Sequence, residues 1–451
     1  MAGGTWTAQD KKIPGVYINT QAEKTVEIKV GSKGIVAIAE PLNWGNPGVI
    51  QEITPGEDLT PYIGYDISNS NAMFLREMMK GSDTTDGPNK ILLYRPTGTS
   101  GVKATVTVGA LTVTAKYTGT RGNDLSVIIA ANPGGGYDID TVIDGAVVDS
   151  QNVTNLSSLV SNDWVDFSGS GTTITATAGS ALTGGVNPTV ASSDYASFLT
   201  ALEPFAFDIL AYDGSDATTI AAMIAFIKRI NTETGRRAQC VMAGATAEAA
   251  DSELVIAIMN GVTLEDGTVL TAGQAVWWLA GVEAGAKYNQ SLTYAMYPGA
   301  VRSTSLYSDA QAIAATEAGG CCFVENYGDV VLCTDINTKV TAASAVDAEF
   351  KKNRVMRVLM QFCNDTHYEY SKYYIGKVSN IDNVGLSLLR GWAIGYLAAM
   401  EGNQGIRNFS PEDVVVFAGE AIDSAVVQVW LQPVDSIEKI YATVTVVPNV
   451  R

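Results

Sequence analysis

One histidine, His367, serves this whole 451-residue chain. Histidine is the usual general base near neutral pH and the commonest neutral metal ligand, so its scarcity removes much hydrolytic and metal chemistry. A Ser-His-Asp relay could be centred only on His367, and no G-x-S-x-G turn accompanies "CNDTHYEYSKYY". The expectation is a surface or hydrogen-bonded structural histidine. Cysteine is sparse as well: Cys240, Cys321, Cys322, Cys333 and Cys363 are an odd number without a C-x-x-C pair. That pattern predicts reduced thiols in a reducing compartment, with neither a disulfide framework nor a zinc site. Apolar runs are short. "AVWWLAGVEAGA" is cut by charge well before the roughly 20 residues a spanning helix needs, and "MAGGTWTAQDKK" has no signal-type apolar core. These features predict a chain made and kept in a cytoplasm, away from membranes. Positive charge is also deficient, 29 Lys and Arg against 47 Asp and Glu for a net charge of -18, which argues against a general nucleic-acid binder.

Signatures of cofactor or metal binding are missing too. No H-E-x-x-H, EF-hand loop or strand-linked G-x-G-x-x-G occurs, and "GVEAGAKYN" has the wrong spacing for a phosphate loop and reads as helix. The turn "AYDGSD", with Asp213 and Asp216, could hold a cation or cap the helix after it, and capping is the expected use. Trp277 and Trp278, inside an apolar helix, read as core or interface. No catalytic, cofactor-binding or metal residue is assigned.

Strand and helix periodicities do organise the chain. "GIVAIAEPL" and "KILLYRP" read as buried strands with a short helix between them at 71 to 80. From 102 to about 187 the pattern becomes short alternating runs ("VKATVTV", "LTVTAKY", "LSVIIA", "TITATA") between Gly, Asn, Asp and Ser clusters, the mark of an all-β sandwich or barrel. "FDILAYD", "SDATTIAAMIAFIKRINTETG" and "RAQCVMA" then form a βαβ unit, which implies a parallel sheet. Helices are expected at 246 to 259 and 272 to 286, and a hairpin around Tyr327 to Asp329. From about 345 a long helix, a Tyr-rich irregular stretch, a second helix and closing strands make an α+β domain.

Two features raise the question of partners. Between Arg121 and Lys228 there is no Lys or Arg, whereas "EFKKNRVMRVLM" gathers Lys351, Lys352, Arg354 and Arg357 on one helical segment. The contrast predicts two solvated faces, or a complementary contact between copies or with an acidic partner. Both termini are strand-like. Val26, Ile28 and Val30 alternate with charged residues near the start. At the end Val427, Val429 and Leu431, then Ile440, Ala442, Val444 and Val446, alternate with polar or aromatic residues around a Pro433 to Ser436 turn. The closing stretch reads as a hairpin, paired either inside this chain's own sheet or with a neighbour.

"IPGVYIN", "GSKGIVAIAEPLNWGNP", "YTGTRGNDLSVII", "AVWWLAGVEAGAKYNQSLTYAMYPGA" and "QPVDSIEKIYATVTV", in that order over about Ile13 to Val447, resemble the tail sheath proteins of contractile-tailed bacteriophages. The likeness is strongest to the branch in phages and defective prophages of Gram-positive bacteria and in R-type bacteriocins. The resemblance implies an α/β plus all-β fold: a subtilisin-like α/β core without protease activity, an inserted β-sandwich, a C-terminal α+β domain near the tube, and terminal strand-exchange arms. On this chain the implied parts are an N-terminal arm at 1 to 30, an α/β portion at 31 to 97 joined to the core, the acidic sandwich at 98 to 195, the core at 196 to 345, the C-terminal domain at 346 to 425 and a C-terminal arm at 426 to 451. The implied partners are further copies of the chain, six per ring, with the tail tube, baseplate and tail terminator proteins, and no nucleic acid or membrane. The implied location is a virion tail or bacteriocin particle assembled in the host cytoplasm. Val26, Ile28, Val30, Val427, Val429, Leu431, Ile440, Ala442, Val444 and Val446 would exchange strands between subunits. Arg354 and Arg357 are expected to touch the tube.

Overall fold

Apolar runs buried on both faces build the centre of the molecule. The structure, a computed structural model, describes residues 3–4, 16–17, 34–244, 250–378 and 384–446. Its largest sheet has seven strands in the order Gly320–Cys321, Val255–Ile258, Gln239–Ala243, Ile209–Tyr212, Ile35–Ala39, Lys90–Tyr94 and Ile50–Ile53. All neighbours are parallel except Ile50–Ile53, which runs antiparallel to Lys90–Tyr94. Side chains alternate across the pleat. Val36, Ile38, Ile91, Leu93 and Val241 face a core built with the Ala272–Gly285 and Met73–Met79 helices. Ala37, Leu92, Leu210, Cys240 and Met242 face a second core beneath Ser192–Leu202 and Ala217–Glu233. Two covered faces are what an almost wholly parallel sheet requires.

The segment 255 to 258, expected to lie in a helix, is a strand of this sheet, and 246 to 249 lie outside the described residues. "VIAI" is buried at all four positions, so it carries neither the two-fold nor the helical alternation that would separate the two structures. The loop-like "GVEAG" is the end of the Ala272–Gly285 helix. A β-carbon on Gly281 would stand 1.9 Å from the Met78 carbonyl oxygen, so the glycine is there for helix-to-helix approach.

The β-module holds two antiparallel sheets. One has the order Ala146–Val153, Tyr137–Ile143, Leu125–Ala131, Thr177–Ala181, and the other Val165–Gly169, Leu111–Thr118, Lys103–Val108. Leu111, Val113 and Ala115 alternate inward against Leu125, Val127 and Ile129. The "TITATA" strand begins later than its pattern suggests, at Thr177, while Ile174 sinks into the core ahead of it. The sandwich is tied to the α/β part by side chains that cross between them. Trp44 is buried within the sandwich core, 5.3 Å from the rings of both Tyr117 and Trp164. Arg95 donates to the carbonyls of Leu42, Gly45 and Thr118 at 3.0, 2.5 and 2.7 Å, and its burial lowers its pKa to about 10. Arg121 donates to the Gly64 carbonyl at 3.0 Å, pairs with Asp124 and Asp144, and lies 4.1 Å over the Tyr65 ring.

The C-terminal part is organised on one long helix, Asn353–Glu369. Met356 and Met360 enter the second sheet core. Val358 joins a separate cluster with Tyr288, Trp392, Tyr396, Leu397 and Met400, the last four from or packed on the Val384–Gly402 helix. One helix therefore belongs to two cores, which couples the domains mechanically.

Candidate assembly surfaces

The polypeptide beyond the last helix divides into a folded part and a free part. Val414–Ala418 and Ala425–Val429 pair antiparallel, with Val414 opposite Val429 and Val416 opposite Val427. This corrects the expected hairpin between 427 to 431 and 440 to 446: the partner of the first strand lies upstream. Val429 and Leu431 pack against the C-terminal core, and Val427 lines a groove of about 650 Å³ together with Tyr370, Tyr374, Leu386, Leu389 and Ile422. Among the described residues this hairpin is a two-stranded sheet, so both of its outer edges carry no further strand.

Downstream, the chain is fastened at successive points. Gln432–Pro433 pairs with Ile406–Arg407, and the Val434 amide donates to the Gly405 carbonyl at 2.9 Å. Glu438 then accepts from the Thr293 hydroxyl at 2.8 Å and from the Lys352 ammonium. Beyond Glu438 the segment to residue 446 has no regular structure, and its strand-patterned residues face solvent: Ile440 is 83% exposed, Val444 and Val446 89%, and Ala442 is exposed as well. Val26, Ile28 and Val30 lie outside the described residues.

The basic cluster is consumed inside the molecule, and this corrects the tube-facing assignment. Arg357 is 1% exposed. It donates to Glu283 at 2.5 Å, to the Gln290 carbonyl at 2.7 Å and to Asp335. Burial opposes the charges, yet Arg357 holds Asp335 below the ordinary carboxyl range, and the two acids raise Arg357. Arg354, also buried, donates to the Asn289 carbonyl at 2.9 Å. Lys351 reaches the Thr316 carbonyl at 2.7 Å, and Lys352 engages Asp435 and Glu438. Spacing of three places 354 and 357 on one helix face, but sequence does not tell that this face docks onto the α/β core. The opposite-charge contact between copies loses its basic half with them.

The sheet topology also creates a polar site that the sequence conceals. Ile35–Ala39 and Ile209–Tyr212 are adjacent parallel strands, and each is followed by an acid, Glu40 and Asp213. The Trp277 indole donates to Asp213 at 3.0 Å, and a cavity of about 450 Å³ opens beside Glu40, Asn43, Tyr65 and Gln274. Ligands of open α/β sheets gather at such strand ends. Glu40 is 8% exposed and one of its carboxyl oxygens has no hydrogen-bond partner. Burial, with Asp213 adjacent, pushes its pKa well up, and burial raises Asp213 as well. Helix capping falls to Asp216, which accepts from the Thr219 amide at 2.7 Å. Asp213, read with it as a cap, is instead half of this carboxyl pair.

A carboxyl raised in the folded state favours folding below its unfolded pKa, about 4.3 for Glu, and that contribution is lost as pH rises toward the folded value. Glu40→Gln is therefore expected to leave the thermal midpoint unchanged near pH 4. At pH 8 it should stabilise the fold, because the amide spares the cost of either ionising a buried carboxyl beside Asp213 or holding it protonated above its unfolded pKa. Calorimetry of both chains at the two pH values checks this.

Four tail sheath models cover the chain nearly end to end. They are the Gp18 domain III N-terminal region at 33–95, the β-sandwich domain at 99–187, the central domain at 189–338 and the C-terminal domain at 345–447. The phage-like element PBSX protein XkdK of Bacillus subtilis (strain 168) is 32% identical across 99% of this chain and all of its own length. The chain belongs to the phage tail sheath family. The crystal structure of a sheath tail protein from Desulfitobacterium hafniense shares 38% identity, covers 95% of this sheath chain and 99% of its own, and superposes with a TM-score of 0.83. The contracted helical sheath of the anti-feeding prophage shares the fold at 12% identity, covering 96% of this chain and 99% of its own, with a TM-score of 0.57.

Membership makes the chain a structural protein of a contractile tail, from a phage or prophage-like element. The features that matter for such a protein are edges and anchors. Sequence reasoning found the free segment from Ile440 to Val446 by its alternation. It missed the open hairpin edge, the Glu438 anchor and the buried Glu283–Arg357–Asp335 group. The Glu438 anchor and the Glu283–Arg357–Asp335 group join residues at least 22 positions apart, leaving no local signal, and the hairpin's edge is open because of what the rest of the fold leaves unpaired. Among the described residues no cluster of three or more His, Cys, Asp or Glu is placed to hold a metal, and no helix is long and apolar enough to cross a membrane.

Proposed function

We propose that this sheath chain polymerises helically around a tail tube and contracts to drive the tube through a bacterial envelope. The observation that carries the reading is the segment after Glu438. It has strand chemistry, is exposed from 439 to 446 and projects from an anchored root, in a chain whose own hairpin has open edges among the described residues. Strand addition joins such parts with backbone hydrogen bonds while alternating side chains give register. Each copy would lay residues 440 to 446 along a neighbour's Val414–Val429 hairpin, and the N-terminal arm containing Val26, Ile28 and Val30 would add to the same lattice. Flexible linkage between firm domains lets subunits rotate and slide without losing connection. Energy for contraction comes from repacking a metastable extended lattice into one with more buried contact, and needs no nucleotide.

In this reading the α/β core is a subtilisin-like scaffold put to structural use, since a fold by itself does not confer chemistry. The 98 to 195 sandwich faces outward and the 346 to 425 domain lies near the tube. Six copies per ring, the tube, the baseplate and the tail terminator are its partners, with assembly in the host cytoplasm. Electron microscopy of the purified chain at high concentration tests the proposal: hollow helical tubes are expected, and persistent monomers would overturn it.

A further inference from the structure

The five cysteines are free thiols, but two of them are not independent. Phe323–Asn326 and Asp329–Leu332 form a tight antiparallel hairpin with Phe323 opposite Leu332. One pair further from the turn, the Cys333 amide donates to the Cys322 carbonyl at 2.8 Å, so these cysteines stand directly across from each other. Opposed residues in a hydrogen-bonded antiparallel pair have α-carbons roughly 5.5 Å apart. That lies inside the window of about 4.4–6.8 Å that a disulfide spans. Interaction between the two thiols is the leading influence on the pKa of each.

Their surroundings make the pair asymmetric. Cys322 is fully buried, whereas Cys333 is partly exposed at the mouth of the hairpin. The Cys322 thiol donates to Cys333 and lowers its pKa to about 7, against opposing effects of burial and of Asp309. Cys322 moves the other way, raised by that hydrogen bond, by burial and by Cys321. An accessible thiol with thiolate character is the attacking partner, and a buried thiol in contact with it is the resolving one. Cys240 and Cys321 are buried and raised to or beyond about 12, and burial also raises Cys363.

We propose that Cys322 and Cys333 are a redox pair that closes to an intrachain disulfide when the protein meets a small disulfide oxidant. The Cys333 thiolate attacks one sulfur of the oxidant, forming a mixed disulfide and expelling one thiolate. Cys322 then gives up its proton and attacks the Cys333 sulfur, forming the protein disulfide and releasing the second small thiol. Two protein thiols are oxidised and one small disulfide is reduced to two thiols. The bridge closes the base of the hairpin, two residues before Asp335, whose carboxylate receives Arg357. Oxidation would thus stiffen the start of the loop through which the core grips the C-terminal helix. If the sheath reading holds, this happens after a particle leaves the reducing cytoplasm, though the chemistry itself does not depend on that reading.

The experiment uses the full chain and oxidised glutathione at neutral pH, followed by acid quenching, unfolding, thiol titration and peptide mapping. The expected result is a fall from five titratable thiols to three, with one linkage joining Cys322 to Cys333, reversed by dithiothreitol. In the Cys322→Ser chain, glutathione should remain attached at Cys333, because its resolving thiol is gone. Persistence of five thiols in the native chain, stable glutathione at Cys333 of that chain, or a linkage between any other pair would overturn the proposal.

Discussion

Deleting residues 439 to 451 is expected to leave a folded chain and to abolish tube formation. The cut falls after Glu438, so it spares the Lys352 and Thr293 contacts, the Gln432–Pro433 pairing and the Val414–Val429 hairpin. Of what it removes, residues 439 to 446 are exposed and make no regular structure with their own chain. Far-ultraviolet circular dichroism and the thermal midpoint should match the full-length protein within error, while electron micrographs show no tubes. A cut after residue 425 would be a poorer test. It would also strip Val427, Val429 and Leu431 from the hairpin and the C-terminal core, and loss of assembly would then follow from damage to the fold. Tubes of normal length from the 1 to 438 chain would show that the terminal segment is dispensable and that lattice contacts reside elsewhere.

Replacing Arg357 with alanine should be the most damaging single change in the molecule. It leaves Glu283 and Asp335, each 1% exposed at its side chain, as buried carboxylates without their cation. Breaking a buried ion pair from one side typically costs about 3–5 kcal/mol. Denaturant unfolding should show that loss, or an early transition of the C-terminal region, whose long helix loses its polar grip on the core. Arg357→Met with Glu283→Gln and Asp335→Asn should recover part of the stability, because it removes the stranded charges. The pH dependence follows from Asp335, which is held below its ordinary value. Its contribution is complete above the unfolded pKa of about 3.9 and disappears as pH falls through the lower folded value. The native chain should therefore lose stability below pH 4 more steeply than an Asp335→Asn chain, as thermal midpoints between pH 6 and 3 would reveal.

The same arginine shows where sequence reading stops. Its charge and helical position were evident in "EFKKNRVMRVLM", but charge on a helix does not reveal what the helix rests against. A buried guanidinium and an exposed one have the same sequence neighbours. The partners Glu283 and Asp335 lie 74 and 22 positions away, in a helix and a loop of the core. Glu40 and Asp213 are a second instance, 173 positions apart and adjacent only because two strands are neighbours in one sheet. The "VIAI" strand failed for a different reason: four consecutive apolar residues fit any element buried on all sides.

Patterns that repeat within a few residues were legible. Alternation marked the sandwich strands, "FDILAYD" through "RAQCVMA" marked a parallel crossover, and the ordered motifs along the chain carried the resemblance to tail sheath proteins. Such signals are local, because a pleat or a helical turn imposes its period on the residues that form it. Sequence by itself also determined that the closing strand pattern exists and that one side of its composition suits pairing. Only the tertiary structure decided which strand found a partner at home. Val426 to Val429 met an antiparallel edge and a core to cover them, whereas Ile440 to Val446 emerge past the Glu438 anchor without either. Strand propensity is a property of neighbours along the chain, but pairing needs a complementary edge, and edges are made by the fold.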